Sequence, residues 1–162
     1  MTRFKTADLC DDHGEGVAVC ALTWLRHGPR RGFCGTIVTI RCLEDNGLIK
    51  QAVARDGAGQ VLVVDGGGSL RCALVGDQVA AQAQANGWAG IIVFGAIRDT
   101  AELDAMDIPV LALGLCPRKP ARSDAGETGV TLALGGAAFV PGHRVYADAD
   151  GVVVSPTRLH QG

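Results

Sequence analysis

The chain is poor in aromatic residues: two Trp, one Tyr and four Phe make up 4% of its 162 residues. That is too few for the stacking platform on which single-stranded nucleic acid is held. Neither sign of charge is in excess, with 15 Lys+Arg against 17 Asp+Glu, so no field exists to hold a polyanion or an anionic membrane by electrostatics alone. Neither direct nucleic-acid binding nor membrane attachment is expected. A long apolar run is also missing. The longest uncharged stretch, Gln78 to Ile97, carries Gln78, Gln82, Gln84, Asn86 and internal glycines, and reads as a helix, a turn and a strand. Met1 to Glu15 is polar and charged, unlike a signal peptide, so a cytoplasmic location is expected. The six cysteines form no CxxC pair and no histidine stands at zinc-finger spacing, which leaves scattered buried thiols in a reducing compartment as the simplest reading.

Against these absences stand 48% hydrophobic residues and 23 glycines, about twice the usual glycine share of roughly 7%. A small-residue core with many tight turns fits this, in one domain spanning 1–162. Thr36-Ile-Val-Thr-Ile-Arg-Cys42 is β-branched and lies between Gly35 and the turn-like Glu44-Asp-Asn-Gly47, predicting a strand; Leu48 to Arg55 then suits a short helix. Gln60-Val-Leu-Val-Val-Asp65 runs straight into Gly66-Gly67-Gly68, a buried strand leaving a sheet through a tight loop. Leu74, Val75, Val79 and Ala83 fall at helical intervals and predict a helix that stops near Asn86-Gly87. Gly90 to Phe94 is a second buried strand, so Gln60 to Phe94 forms a βαβ unit with parallel strands, and Ile108 to Leu113 adds a third. Pro117 to Glu127 reads as an exposed loop. Val130 to Leu134, Ala137 to Val140 and Gly151 to Ser155 alternate with glycine turns and predict hairpins. The class is α/β, a central βαβ unit with a β-rich C-terminal part.

Function should sit at the strand ends. Gly66-Gly67-Gly68-Ser69 admits two readings, an anion cradle of backbone N–H groups or a plain glycine turn; it matches neither GxxxxGK[ST] nor GxGxxG, and Ser69 lacks a GxSxG elbow. Gly76-Asp77-Gln78-Val79 is placed to present helix N–H groups, and Arg98-Asp99 follows the strand Gly90 to Phe94. Such a pair of turns holds a carboxylate through backbone N–H groups and the Arg98 guanidinium, while Asp99 offers a hard oxygen to a divalent cation. The plainer alternative is a helix cap at Asp77 and a surface ion pair at Arg98-Asp99. His13, His27, His143 and His160 are not at ligand spacing, and Asp148 and Asp150 within Tyr146-Ala-Asp-Ala-Asp-Gly151 read as a hairpin turn rather than a calcium site.

Asp77, twenty residues, then Arg98-Asp99 resembles the signature of the metal-dependent aldolases that cleave 4-hydroxy-4-methyl-2-oxoglutarate and 4-carboxy-4-hydroxy-2-oxoadipate. Nearly the whole chain is similar to the RraA-like family, named for a regulator of ribonuclease E activity. The matching stretches are Thr6-Ala-Asp-Leu-Cys-Asp11, Cys42-Leu-Glu-Asp-Asn-Gly47, Val61 to Arg71, Gly87-Trp-Ala-Gly90, Gly95-Ala-Ile-Arg-Asp99 and Tyr146 to Gly151. The resemblance implies a swivelling β/β/α fold, a homotrimer or dimer of trimers, and sites at subunit interfaces. It also implies that Gly76, Asp77, Gln78 and Val79 bind the substrate carboxylate with Arg98, and that Asp99 ligates the metal directly. Asp77 would reach the metal through water, and Glu102, which matches an acid that some members carry near that aspartate, is a second candidate to reach it through water. Regulator-type members can lack the residue matching Asp99, which this chain retains, although its N-terminal and Cys42 to Gly47 stretches stand closer to the regulator branch.

Carbon–carbon cleavage beside a 2-oxo acid leaves a pyruvate enolate, stabilised by a lysine Schiff base or by a metal. The only lysines are Lys5, Lys50 and Lys119, none in or beside the motif, so Mg²⁺ or Mn²⁺ is expected, with Arg98 neutralising the enolate oxygen. Oxaloacetate decarboxylation, which forms the same enolate, is the companion activity. The competing expectation is a non-catalytic protein that inhibits ribonuclease E by contact.

Overall fold

The computed structural model describes residues 4–29 and 32–160. In chain order the elements are α1 (Thr6–His13), a 3-10 turn (Gly14–Gly16), β1 (Ala18–Cys20), β2 (Leu25–His27), β3 (Phe33–Arg41), α2 (Gly47–Val53), β4 (Gln60–Asp65), β5 (Ala73–Val75), α3 (Asp77–Ala85), β6 (Gly90–Ile97), α4 (Thr100–Asp104), β7 (Val110–Leu115), β8 (Glu127–Thr128), β9 (Leu132–Leu134), β10 (Ala137–Phe139), β11 (Arg144–Asp148) and β12 (Gly151–Ser155).

One large sheet runs β1-β12-β11-β3-β4-β6-β7-β2, with β5 added beside β6 and β8 beside β3. Its centre, β3-β4-β6-β7, is parallel, and its flanks are antiparallel. The parallel strands are largely apolar because both faces are covered. Leu62, Val64, Ile91, Val93 and Val110 pack with α2 and α3 residues into one cluster. The alternate residues Val61, Val63, Ile92 and Leu111 pack on the other face against Leu132, Phe139, Val145 and Val152. Each such fully buried side chain contributes about 1.5–3 kcal/mol relative to exposure.

The predicted strands at Gln60–Asp65 and from Gly90 are present, the latter extending to Ile97. The third strand is shifted to Val110–Leu115, because Pro109 has no N–H to give the ladder. The hairpins β9-β10 and β11-β12 are present in the C-terminal part, and Asp148 and Asp150 form a hairpin turn, the Asp150 N–H donating to Asp148 Oδ1. The predicted helix over Leu74 and Val75 is corrected: Ala73–Val75 is a short strand on β6. Gly76, at φ −132° and ψ −161°, is extended and starts α3 only at Asp77. Three fully buried apolar residues in a row satisfy a strand pairing better than one face of a helix. The helix stops where expected, with Gly87 at φ 80° beyond Asn86.

The first thirty residues, which carry no predicted element, contain α1, β1 and β2. α1 is tied to the C-terminal hairpin by Asp148, whose two oxygens accept the Thr6 N–H and hydroxyl. All six cysteines are free thiols, three buried and three half-buried. Among the described residues no helix is long and apolar enough to cross a membrane.

Candidate active site at the carboxyl ends of the parallel strands

Four of the strands deliver a segment to the same rim. β5 runs into Gly76 to Val79, β6 into Arg98-Asp99, β7 into the loop through Pro117 and Pro120, and β3 into Asn46 and Lys50. All of these but Pro117 line one cavity of about 90 Å³. Asp77 and Arg98-Asp99, 22 residues apart in sequence, meet there. Asp99 Oδ2 accepts the Asp77 backbone N–H at 3.0 Å, and the Arg98 Nε lies 3.9 Å from the same oxygen. The Arg98 side chain also donates from Nη1 to the Pro117 carbonyl at 3.3 Å, and its backbone N–H to Val75. Arginine thus ties β5, β6 and the loop after β7 together.

Asp99 stands in the left-handed region, φ 62° and ψ 44°, as the cap residue of α4. Its side chain caps nothing in α4 because it is spent on Asp77. Of the N–H groups expected to face a ligand carboxylate, that of Asp77 is therefore already donated. Gln78 and Val79 lie in the first turn of α3, where N–H groups have no partner within the helix. Glu102 is exposed on α4 and is not part of the cavity wall.

Two carboxylates, Asp77 and Asp99, face this space, and among the described residues no cluster of three or more acidic, His or Cys ligands exists. A site of one or two carboxylates that leaves the remaining positions to water and ligand oxygens suits Mg²⁺ or Mn²⁺ and not zinc. The donor set fits a hard divalent cation at Asp99.

Lys50 is the residue that sequence reasoning misses. The expectation that no lysine lies beside the motif is corrected: Lys50 comes from α2 and lines the cavity with Arg98 and Asp99. No local spacing reveals this, since the contact depends on how α2 packs. Asn46 joins the wall and donates from Nδ2 to the Leu74 carbonyl at 3.2 Å.

The glycine loop resolves in favour of a turn. The Gly66 and Gly68 N–H groups both donate to the Phe94 carbonyl and that of Gly67 to Asp65 Oδ1, so none is available to an anion. The Ser69 hydroxyl donates to Glu44 at 2.7 Å, and Arg71 pairs with the same carboxylate. The serine hydroxyl first, and the guanidinium second, hold the Glu44 carboxyl below its ordinary range.

The loop after β7 is pinned by the Glu44-Asp45-Asn46 turn. Asp45 is buried and accepts the Gly47 N–H, the Ser123 N–H and the Ser123 hydroxyl; the Ala121 and Asn46 N–H groups donate to the Glu44 and Ala121 carbonyls. The Ser123 hydroxyl is the main reason that the Asp45 carboxyl lies low, outweighing the upward push of burial. A second, larger cavity of about 760 Å³ lies beyond this loop and shares Pro120 with the first; Arg71, Arg118 and Lys119 face it with Glu44.

A family model described as RraA-like, Aldolase/RraA, matches residues 6–154. The chain belongs to the RraA-like family. Among RraA-like relatives, a protein of Alcanivorax borkumensis named "Putative 4-hydroxy-4-methyl-2-oxoglutarate aldolase" is 48% identical over 157 residues, covering 96% of this chain and 98% of its own. A Xanthomonas campestris protein of the same name is 51% identical, covering 96% and 93%. The solved structure of the RNA-processing inhibitor RraA from Thermus thermophilis superposes with a TM-score of 0.94 at 40% identity, covering 99% of this chain and 97% of that one. A structure titled S-adenosylmethionine:2-dimethylmenaquinone methyltransferase, from Geobacillus kaustophilus, gives 0.95 at 46% identity, covering 98% and 100%. The mixed α/β fold, with one large sheet and few helices, is that of the RraA-like proteins.

Proposed function

We propose that this RraA-like chain is a divalent-metal-dependent lyase that cleaves 4-hydroxy-4-methyl-2-oxoglutarate to two pyruvates and decarboxylates oxaloacetate. The observation that carries the reading is the junction at the cavity, where Asp99 accepts the Asp77 N–H beside the Arg98 guanidinium. In this reading Asp99 would hold Mg²⁺ or Mn²⁺ directly and Asp77 would reach it through water; Glu102, the other candidate for contact through water, is not in the cavity wall and is left out. The cation supplies Lewis-acid polarisation of the 2-oxo group. The Gly76 to Val79 turn and Arg98 orient the substrate carboxylate. As the C3–C4 bond breaks, its electrons pass to the C2 oxygen, and Arg98 offsets the charge that develops there. A water at Asp77 takes the C4 hydroxyl proton, C4 becomes the carbonyl of one pyruvate, and protonation at C3 completes the other. In oxaloacetate the same bond breaks with release of CO₂.

The aldolase names of relatives near 50% identity support this reading. Leu43, Leu70 and Leu115 are large, exposed and apolar, which supports burial against another copy of the chain, as in the homotrimer or dimer of trimers that the resemblance implies.

A second reading, contact inhibition of ribonuclease E, rests on the RNA-processing inhibitor whose structure spans the whole chain. Pyruvate release from both acids with Mg²⁺, repeated with EDTA and with Asp99→Ala, separates the two. Metal-dependent turnover lost in the variant supports the lyase. No turnover in a folded protein that binds and inhibits ribonuclease E supports the regulator.

A further inference from the structure

Lys50 occupies the cavity wall without a partner. Among the described residues its ammonium makes no hydrogen bond and no ion pair within 4.0 Å, although Asp77 and Asp99 share the same 90 Å³ space. Three other polar side chains there are already engaged, while the Asp77 carboxylate faces the cavity with Lys50. Arg98 donates to Pro117 and approaches Asp99, Asp99 accepts from Asp77, and Asn46 donates to Leu74. The cavity therefore holds two cations and two anions, of which Lys50 is the cation with all three donors uncommitted.

A hard divalent cation at Asp99 would add two positive charges, so the occupant that balances the site is a dianion. A 2-oxo acid becomes one when its carboxylate is joined by an enolate oxygen. We propose that Lys50 is a substrate-binding residue, a non-covalent second cation beside Arg98 for the oxygens of a small 2-oxo acid and its enolate. This rests on the lyase reading. The competing explanation is that Lys50 merely offsets the helix dipole in the last turn of α2, a role that affects helix stability and not ligand affinity.

The probe is oxalate, a stable planar dianion that resembles the enolate of pyruvate. Its affinity for the full chain is measured by calorimetry at constant excess Mg²⁺ for wild type, Lys50→Met, Lys50→Arg and, as a control outside the cavity, Lys5→Met. Loss of one charge-assisted contact weakens oxalate on the order of tenfold or more in Lys50→Met. The arginine variant recovers most of the affinity, Lys5→Met binds as wild type, and all four melt within a few degrees of one another. With substrate, the methionine change raises KM more than it lowers kcat. Affinity unchanged in Lys50→Met while wild type turns over substrate overturns the assignment and leaves the lyase intact. Lys50-dependent oxalate binding without turnover keeps the assignment and sinks the lyase reading. No oxalate binding by wild type overturns it. Borohydride reduction with pyruvate gives the last arm: an adduct on Lys50 means imine chemistry and overturns the non-covalent role, and an unmodified Lys50 supports it.

Discussion

Asp99 Oδ2 accepts the backbone N–H of Asp77 at 3.0 Å, so one carboxylate fixes where α3 begins while it faces the cavity. The same residue carries backbone strain at φ 62°, a conformation that Asn tolerates and Ala does not. A structural role and a chemical role are thus superimposed, and two substitutions separate them.

Asp99→Asn keeps an acceptor for Asp77 and the left-handed backbone but removes the charge. We expect it to melt close to wild type and to lose about 10²-fold or more in pyruvate formation. Asp99→Ala should lose turnover to the same degree and, in addition, about 1–2 kcal/mol of stability from the left-handed backbone. Steady-state rates with thermal melts on both variants check this. An Asn variant with wild-type rates would remove Asp99 from the chemistry.

Gly76→Ala tests the packing beneath that contact. A Cβ at Gly76 would lie 2.6 Å from Asp99 Oδ2 and about 3.3 Å from the Arg98 side chain. One or both must move, and overpacking of this kind costs about 1–3 kcal/mol. Because Gly76 is extended rather than left-handed, the cost is steric. The expected result is a drop in turnover larger than the stability loss explains; full activity would show that the carboxylate shifts freely.

Arg98→Lys isolates the guanidinium. Lysine keeps the charge but loses the geometry that lets arginine hold Pro117 while lying beside Asp99. Turnover should fall about 10²- to 10³-fold, as for removal of one preorganised donor to an oxyanion, with the fold retained by circular dichroism. A lysine variant at wild-type kcat would mean that charge alone suffices.

The parallel core was legible because its signal is local: four apolar residues, Val61 to Val64, followed by Asp65 and three glycines leave few alternatives to a buried strand. Arg98-Asp99 was legible for a related reason, since it follows a strand of the βαβ unit, and Asp77 was legible as the start of a helix that presents its N–H groups at the same edge. Leu74 and Val75 misled because a three-residue strand on β6 is decided by its partner, and helical spacing over four residues arises by chance. Lys50 and Asp45 were hidden because their importance comes from non-local contacts, the cavity for one and Ser123 for the other, 78 residues away.

Thiol chemistry offers a check on burial. Desolvation pushes Cys20 up to about 11 and Cys42 to about 12, the latter helped by the nearby Asp45 and Asp65. Neither forms thiolate near pH 8, and neither is open to a reagent. A disulfide reagent should therefore modify the half-buried Cys10, Cys34 and Cys116 first, with Cys20 and Cys42 reacting only at the rate of unfolding. Rapid modification of Cys42 in the native protein would contradict the packing of α2 on β3.

Asp45 links acidity to the shape of the site. Its buried carboxylate accepts two N–H groups and the Ser123 hydroxyl, and is held below the ordinary value of 3.8. The folded state thus binds that proton less tightly than the unfolded chain. The resulting stabilisation is fully present above the unfolded value, roughly 4, and is lost as pH falls through the lower folded value. Asp45→Ala should cost about 1.5–3 kcal/mol at pH 7 by leaving those donors without their charged acceptor, and should flatten this part of the acid-stability profile. It should also free the segment from Pro117 to Asp124, which supplies the carbonyl for Arg98, so KM for the oxo acid should rise. Denaturant melts from pH 7 to pH 3, with KM measured at neutral pH, test both limbs. A variant with altered acid stability but unchanged KM would show that the loop is pinned without being part of the binding site.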